Sequence, residues 1–352
     1  MGKNRLNIFQ QICRASQKFL EVQKPFYKKV FGRRRLRCLF SPWKVWENIK
    51  KKKIYGITYL GKEDFKYLKQ VRKNRITQKK IEAMKREIEA FSFKPLISVI
   101  VPVYNVEQQW LERALESVLY QVYANWELCI ADDASPASHV KETLERYKNS
   151  DERIKVKFLQ KNLGISGASN AALALAGGQY VALLDHDDEL SRDCLYEVVK
   201  CLNAHPGAEI LYSDEDKLSM GGLRLRPVYK HGWDPDLFLT YNYLCHLVVC
   251  KRELVEKVGG FRKGFEGSQD YDLLLRVTES VAGNNIFHIP KVLYHWRMIP
   301  GSAASVVDAK SKSFERAKRA LEEALERRGI AAKVVEGEPT GTFHVQKIDP
   351  GG

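Results

Sequence analysis

Short apolar runs alternate with stretches of helical periodicity between residues 97 and 212, and this alternation restricts the fold more than any other feature of the chain. The run at 97–101 is apolar and β-branched, as in a strand buried on both faces. Apolar residues from Trp110 to Leu119 then recur at helical spacing. Further strands are predicted at 128–131, 154–159, 180–184 and 209–212, and helices at 164–176 and 191–203. Strands that alternate with helices predict an α/β fold with a mostly parallel sheet covered by helices.

Acidic residues follow two of the predicted strands. Asp132 and Asp133 end the second strand, and the run DHDD at 185–188 follows the fourth. Ligands of parallel sheets bind beyond the C-terminal strand ends, so we expect these carboxylates to share one crevice. Carboxylates that flank one intervening residue suit a hard divalent cation bridging to substrate phosphates. The alternative is that they are turn aspartates, which are common after strands.

The turn after the first strand excludes one familiar class of nucleotide site. It reads PVYN at 102–105, where a dinucleotide-binding site has Gly-x-Gly-x-x-Gly. A dehydrogenase is therefore disfavoured. The sequence also has no phosphate loop of the Gly-x-x-x-x-Gly-Lys-Ser/Thr type.

The basic charge of the chain is concentrated near its N-terminus. The net charge is +15, but residues 1–95 hold 27 Lys and Arg against 7 Asp and Glu, and the remainder holds 31 against 36. Aromatic residues are interleaved with these basic clusters, which predicts a basic, aromatic-rich helical extension over residues 1–94. A solvated helical hairpin and a segment lying on an anionic membrane surface both fit this pattern. Nucleic acid is disfavoured as a partner, because no recognised binding module is present.

Cysteine usage and hydropathy favour the cytoplasm. The seven cysteines form no Cys-x-x-Cys pair, as expected in a reducing compartment. Near the N-terminus there is no continuous apolar segment of a signal peptide, and no stretch approaches the ~20 apolar residues of a membrane span. We expect a cytoplasmic protein, with peripheral attachment to the inner face of the cell membrane through residues 1–94 as a further expectation.

Eight short motifs, in this order, resemble those of bacterial family 2 glycosyltransferases. They are PVYN (102–105), DDAS (132–135), NLG (162–164), DHDD (185–188), YSDEDK (212–217), GGF (259–261), SQDYD (268–272) and YHWR (294–297). The resemblance covers about residues 94–329 and implies the GT-A fold, a Rossmann-like sheet flanked by helices. It divides the chain into an extension (1–94), a transferase domain (95–330) and a C-terminal tail or linker (331–352).

The resemblance also implies how a nucleotide-sugar donor is held. Mg²⁺ or Mn²⁺ would bind Asp185 and Asp187 and grip the diphosphate. His295 would complete the metal shell, with a packing role as the alternative. His186 is interpreted as a solvent or packing residue. The donor-binding residues implied are Pro102, Tyr104, Asn105, Asp132, Asp133, Asn162, Gly167, Asn170, Asp185, Asp214 and Arg297.

Asp270 takes the place of the family's general base, which deprotonates the acceptor hydroxyl and implies inversion at the anomeric carbon. Gln269 stands where many relatives have Glu, and one carboxylate is sufficient. Asp272 is interpreted as a helix N-terminal charge. Trp233 and His246 are the predicted acceptor-binding residues, with core packing as the alternative for each.

The function predicted is inverting sugar transfer to a hydroxyl of a glycan or lipid-linked acceptor, in cell-surface polysaccharide biosynthesis. Two alternatives are a non-catalytic module that binds sugar nucleotides or membranes, and a nucleotidyltransferase. A nucleotidyltransferase usually needs a glycine-rich, basic triphosphate loop after the first strand, and PVYN is no such loop.

Overall fold

The computed structural model describes residues 60–299, 307–338 and 341–348. Residues 61–352 cluster as one compact unit. Of the extension predicted for residues 1–94, residues 1–59 lie outside the described residues. The helices are α1 (Lys62–Lys73), α2 (Gln78–Ala90), α3 (Gln108–Leu119), α4 (Ser138–Lys148), α5 (Gly164–Leu173), α6 (Cys194–Ala204), α7 (Pro235–Phe238), α8 (Arg252–Lys257), α9 (Gln269–Thr278) and α10 (Val307–Arg327). The strands are β1 (Ile97–Val103), β2 (Trp126–Asp132), β3 (Ile154–Phe158), β4 (Tyr180–Leu183), β5 (Glu189–Leu190), β6 (Ile210–Ser219), β7 (Arg224–Val228), β8 (Val248–Lys251), β9 (Ile286–Met298), β10 (Ala332–Glu336) and β11 (Phe343–Lys347).

One large sheet organises the fold, with strand order β3-β2-β1-β4-β8-β6-β9-β5 and β7 paired to β6. The first four of these strands are parallel, as the alternation of apolar runs and helices predicted. Strand β8 is antiparallel to both of its neighbours, and β9 is parallel to β6. The C-terminal ends of β1, β2, β4, β6 and β9 therefore lie along the same edge. The α/β prediction is confirmed, and the half beyond β4 is mixed.

The parallel half is held by burial of strands that are apolar on both faces. In β1 and β2 nearly every residue is buried, as the near-continuous apolar runs predict. Helix α3 covers this sheet with one apolar stripe, which includes Trp110, Leu111 and Leu115. Each fully buried side chain of this size contributes roughly 1.5–3 kcal/mol to folding.

A buried glutamate fastens β2 to the segment that leads into β4. Glu127 accepts hydrogen bonds from the backbone N–H groups of Gly177 and Gly178 and from the Ser98 hydroxyl, at 2.5, 3.2 and 2.6 Å. Lys155 contacts its second oxygen at 2.6 Å. Burial alone would raise the pKa of Glu127, but these partners hold it below its ordinary value. The glutamate thus joins β1, β2 and β3 to the start of β4.

Two helices before the sheet are part of the compact unit. On α1, the buried Tyr67 donates a hydrogen bond to the Asp216 carboxylate of β6 at 2.6 Å. On α2, Ile81 is buried and Glu87 accepts a hydrogen bond from Tyr196 of α6. The compact unit therefore begins near residue 61, whereas the sequence analysis drew the limit at residue 94.

The C-terminal residues also pack on the domain. Strands β10 and β11 form an antiparallel pair, and Val334 and Phe343 are buried in the core. The Phe343 N–H donates to the Thr240 carbonyl at 2.7 Å. This region, predicted as a tail or linker, is a folded part of the unit. Within 60–299, 307–338 and 341–348, no helix combines the length and apolar character that a membrane span requires.

Candidate active site

The acidic loop after β4 is fixed by the end of β9. Asp188 is almost completely buried and accepts hydrogen bonds from the Tyr294 hydroxyl and the Arg297 N–H, both at 2.6 Å. The Arg297 guanidinium also donates to the Asp187 carbonyl at 2.7 Å. Burial raises the pKa of Asp188 well above its ordinary value, and the charges of Asp187 and Asp185 raise it further. Crowded carboxylates of this kind are stabilised by a cation.

A histidine from the loop before β8 joins this acidic loop. Among the described residues, Asp185, Asp188 and His246 form a group whose ligand atoms lie within 4.8 Å of one another. The His246 Nε2 is 3.7 Å from the Asp185 carboxylate, and its ring stacks on Tyr294 with centroids 4.5 Å apart. Two carboxylates and an imidazole are a donor set that suits Mn²⁺ and tolerates Mg²⁺. The residues present therefore fit a divalent cation.

This group differs from the predicted metal ligands. His295 was predicted as a ligand, but its Nδ1 lies 2.7 Å from the Asp216 carboxylate on the opposite face of the sheet. Tyr294 and His295 are neighbours in β9, so their side chains point to opposite faces of the sheet, and His295 meets Asp216, its partner in β6. Asp187 also lies outside the group of three, which contains Asp188 instead.

The segment that carries His246 is anchored by a buried lysine. The Lys230 side chain is 2% exposed, and its ammonium donates to the carbonyl of Leu244 at 2.6 Å and to that of His246. Glu215 lies 3.3 Å from the same ammonium and accepts a longer hydrogen bond from the His246 N–H. No spacing or motif in the sequence pointed to Lys230, because its role depends on a loop contact. His246, predicted as an acceptor residue, instead lies with the acidic loop.

Asp270 lies in the first turn of helix α9. Its carboxylate accepts a hydrogen bond from the Asn242 amide at 2.9 Å. Burial raises the pKa of Asp270 and the negative charge of Asp185 adds to this, while His246 opposes it. The Asn242 amide oxygen in turn accepts from the Cys245 N–H at 3.2 Å, so Asn242 links Asp270 to the segment that carries His246.

Asp272, two residues further along α9, is a structural residue. Its carboxylate is fully buried and pairs with two guanidinium groups, those of Arg262 and Arg276. These contacts fasten α9 to the segment before it, and Asp272 is therefore committed to packing.

The residues predicted to hold the nucleoside lie at the ends of β1 and β2. The Tyr104 side chain is 47% exposed. Asn105 has a positive φ of 45°, and its N–H donates at 2.8 Å to Ser135, whose hydroxyl in turn donates to Asp132. Pro102 contacts His186 through its carbonyl, at 3.0 Å from the ring Nδ1. These contacts shape a turn that leaves the Tyr104 ring facing solvent.

Three other predicted donor residues shape the loop that leads into α5. Asp133 is buried and accepts a hydrogen bond from the Leu163 N–H at 2.7 Å, while the Asn162 amide donates to the Asp133 carbonyl at 3.4 Å. Gly167 packs against Leu163, since an added Cβ would lie 2.5 Å from the Leu163 Cβ. Asp133, Asn162 and Gly167 therefore each have a structural role in this loop.

Asn170 and Asp214 have internal partners. Both polar atoms of the Asn170 amide bond the backbone of Phe261, at 2.7 and 2.8 Å. Asp214 is buried and accepts from the Lys230 N–H at 2.9 Å, with the His288 ring nitrogen 2.7 Å away. The sequence predicted that this strand ends at residue 212, but β6 continues to Ser219, so Asp214 lies within the sheet.

Arg297 and Trp233 also have partners within the protein. The Arg297 side chain is 2% exposed, pairs with Glu189 and lies over the Trp110 ring at 4.4 Å. Trp233 packs on Phe238, with centroids 5.3 Å apart, in an aromatic cluster. It lies beside Gly283, before the start of β9, whereas the acidic loop contacts the end of β9. The structure thus supports the packing alternative for Trp233.

Comparison with known proteins agrees with this geometry. Residues 98–259 match glycosyl transferase family 2. The chain is 51% identical over 233 residues to a protein of Sinorhizobium fredii, which covers 66% of this chain and 26% of that protein. It is 37% identical over 265 residues to an O-antigen biosynthesis protein of Myxococcus xanthus, covering 74% and 20% respectively. The chain therefore spans about a quarter or less of these relatives.

A solved structure shares the fold. It is a mannosyltransferase from Pyrobaculum calidifontis in complex with GDP-mannose and Mn²⁺, with a TM-score of 0.51, 19% identity and 70% of each chain covered. The matched segment 98–259 contains β1 to β8 and the acidic loop. Residues 98–259 of this chain belong to glycosyl transferase family 2, as the eight motifs predicted.

Proposed function

We propose that the chain is an inverting glycosyltransferase that moves a sugar from a nucleoside-diphosphate sugar to a hydroxyl of a glycan or lipid-linked acceptor. One observation carries the proposal: Asn242 links Asp270 to the segment of His246, and His246 forms a candidate cation-binding group with Asp185 and Asp188. A base beside a cation that neutralises the leaving diphosphate is the arrangement that inverting sugar transfer requires.

The order of groups along the sheet edge indicates how the donor would lie across it. Tyr104 and Asp132, at the ends of β1 and β2, would hold the nucleoside. Asp185, Asp188 and His246 would hold Mg²⁺ or Mn²⁺ beside the diphosphate. The cation would stabilise the negative charge that develops on the leaving diphosphate. Binding of Mn²⁺ and GDP-mannose by the mannosyltransferase of the same fold supports this assignment.

Asp270 would act on the acceptor. Its carboxylate takes the proton of the acceptor hydroxyl while that oxygen attacks the anomeric carbon from the face opposite the leaving group. The bond from the anomeric carbon to the diphosphate oxygen breaks, and the nucleoside diphosphate departs with the bonding electrons. Attack from the opposite face inverts the configuration. Burial raises the pKa of Asp270, which makes it a stronger proton acceptor than an exposed aspartate.

The biological setting is proposed from the relatives. An O-antigen biosynthesis protein is similar over 74% of this chain, which supports a role in cell-surface polysaccharide biosynthesis. The basic charge of residues 1–95 supports contact with an anionic membrane surface. Vesicle co-sedimentation of the full chain, with and without phosphatidylglycerol, tests that contact separately from the chemistry.

A panel of nucleotide sugars tests the proposed activity. The protein is incubated with uridine, guanosine and thymidine diphosphate sugars, in Mn²⁺, in Mg²⁺ and after chelation with EDTA. We expect slow, metal-dependent release of one nucleoside diphosphate, and its loss in EDTA. Absence of release and of binding for every donor would contradict the proposal. Formation of a nucleoside triphosphate and a sugar 1-phosphate after pyrophosphate is added would indicate a nucleotidyltransferase.

A further inference from the structure

An open cavity of about 250 Å³ borders the candidate active site and is not used by the mechanism above. It lies between β6, the end of β7 and the segment 241–245. The lining residues that matter below are Glu215, Tyr229, Tyr241, Asn242, Tyr243 and Trp296.

The wall of this cavity exposes apolar surface. Tyr229 is 56% exposed, Val228 is 44% exposed and Tyr241 is 37% exposed, and all three line the cavity. Aromatic rings left in water beside a cavity indicate a surface that a ligand covers. Trp296 lies deeper and is fixed in place by the Lys217 ammonium, 3.3 Å from the ring centroid.

The floor of the cavity is charged and buried. Glu215 is only 4% exposed, and Lys230 and Lys217 lie 3.3 and 3.1 Å from its carboxylate oxygens. Burial would raise the pKa of Glu215, but these lysines hold it below its ordinary value, so the group stays ionised. An ionised carboxylate at the bottom of an aromatic cavity accepts hydrogen bonds from hydroxyl groups.

The cavity touches the groups that carry the chemistry. Asn242 lines it and donates to Asp270, and Trp296 meets the His246 ring edge-on with centroids 5.4 Å apart. Two strands, β4 and β8, separate β6 from β1, a lateral distance of about 14 Å at the usual strand spacing. The cavity is therefore beside the base and apart from the Tyr104 turn.

We propose that this cavity binds a sugar ring of the acceptor, with its C–H face on Tyr229 and Tyr241 and its hydroxyls directed to Glu215. The inference rests on the proposed transferase function and names the chemistry of the acceptor. A saccharide has both an apolar face and hydroxyl edges, which match the aromatic wall and the charged floor. A lipid chain would match the aromatic wall alone, because it offers no hydroxyl group to Glu215.

Replacement of the exposed rings tests the assignment. Tyr229→Ala and Tyr241→Ala are compared with Tyr229→Phe and Tyr241→Phe, which keep the ring. Phe65→Ala is the matched control, because Phe65 is a similarly exposed aromatic (39%) on α1 that does not line the cavity. Two readings are taken from each variant: donor hydrolysis by water with Mn²⁺, and transfer to a panel of methyl glycosides and disaccharides detected by mass spectrometry. Saturation-transfer NMR measures glycoside binding directly.

We expect each alanine variant to raise the acceptor KM roughly tenfold, with donor hydrolysis and nucleotide affinity unchanged. The phenylalanine variants and Phe65→Ala should stay within about twofold of the unaltered protein. An unchanged acceptor KM in the alanine variants, or no glycoside binding by a protein that hydrolyses donor, would overturn the cavity assignment alone. Weaker nucleotide binding in these variants would assign the cavity to the donor instead. Failure of the unaltered protein to bind or hydrolyse any donor would overturn the transferase proposal, and the cavity assignment with it.

Discussion

Two histidines show how side-chain direction decides chemistry at the scale of single residues. His295 lies in the YHWR motif and was predicted to complete a metal shell, yet strand alternation turns it toward Asp216. His246 lies in a loop with no repeating pattern and reaches Asp185. A motif gives the order of residues along the chain. Which side chains come into contact depends on the face of the sheet to which each one points.

The two histidines therefore form a matched pair for measurement. His246→Ala should raise the Mn²⁺ concentration needed for half-maximal donor hydrolysis roughly 10- to 100-fold or more, the loss that even an outer-shell partner causes. His295→Ala should leave that requirement unchanged and lower the free energy of unfolding by about 1–3 kcal/mol, because Asp216 loses a buried partner. A metal requirement that moves in His295→Ala and not in His246→Ala would contradict the assignment.

At the scale of elements, the parallel half depends on polar contacts between strands as well as on apolar burial. Glu127 is 5% exposed and lies within β2, where an apolar residue would be expected. Its carboxylate accepts hydrogen bonds from the backbone N–H groups of the glycine turn before β4. Because the acidic loop follows β4 directly, this contact helps to set where that loop begins.

Glu127→Ala should lower the free energy of unfolding by about 3 kcal/mol, because the Lys155 charge and the N–H groups of Gly177 and the buried Gly178 lose their partner. The control is Glu112→Ala, which removes the surface ion pair with Arg146 and should cost less than about 1 kcal/mol. Urea unfolding followed by circular dichroism measures both values. If both variants lose the same small amount of free energy of unfolding, the Glu127 contacts do not stabilise the fold.

The same contact predicts a dependence on pH. The folded state lowers the pKa of Glu127, so its contribution is present above the pKa of an unfolded glutamate. That contribution is lost as the pH falls through the lower pKa of the folded state. We therefore expect the stability difference between the unaltered protein and Glu127→Ala to narrow as the solution is acidified. A difference that widens on acidification would contradict the direction of the pKa shift.

At the scale of the whole molecule, the sequence predicted one half of the sheet better than the other. The strands β1 to β4 are short apolar runs with helices between them, and the burial of such runs requires a covered parallel sheet. Strand β6 runs through Asp214 and Asp216 to Ser219, and β9 is 13 residues long with polar residues inside it. These strands are stabilised by buried ion pairs and hydrogen bonds, which apolar periodicity does not reveal.

The candidate site also has a part that the sequence predicted and a part that it did not. The acidic loop and Asp270 were predicted, because they lie at a strand end and a helix start that motifs mark. Lys230 was missed, and His246 was predicted at the acceptor rather than beside the acidic loop, because both placements depend on a loop that folds back across the sheet edge. Contacts between segments far apart in the sequence leave no local pattern.

In the proposed function, the groups along the edge of the sheet follow one another from the donor to the acceptor. Donor contacts lie at β1 and β2, the cation group at β4, and the base with the aromatic cavity beyond β8. This order predicts that the two halves of the site can be separated by mutation. Loss of the base should leave donor binding intact, because the groups that hold the nucleotide lie on other strands.

Asp270→Asn tests this central claim most directly. The turnover number for sugar transfer is measured together with the affinity for the donor and Mn²⁺ by titration calorimetry, and Asp236→Asn, at an exposed aspartate of α7, is the control. We expect transfer to fall by roughly 10²–10⁴-fold with donor affinity within about twofold of the unaltered protein. Near-normal turnover in Asp270→Asn, or loss of donor binding together with transfer, would contradict the account.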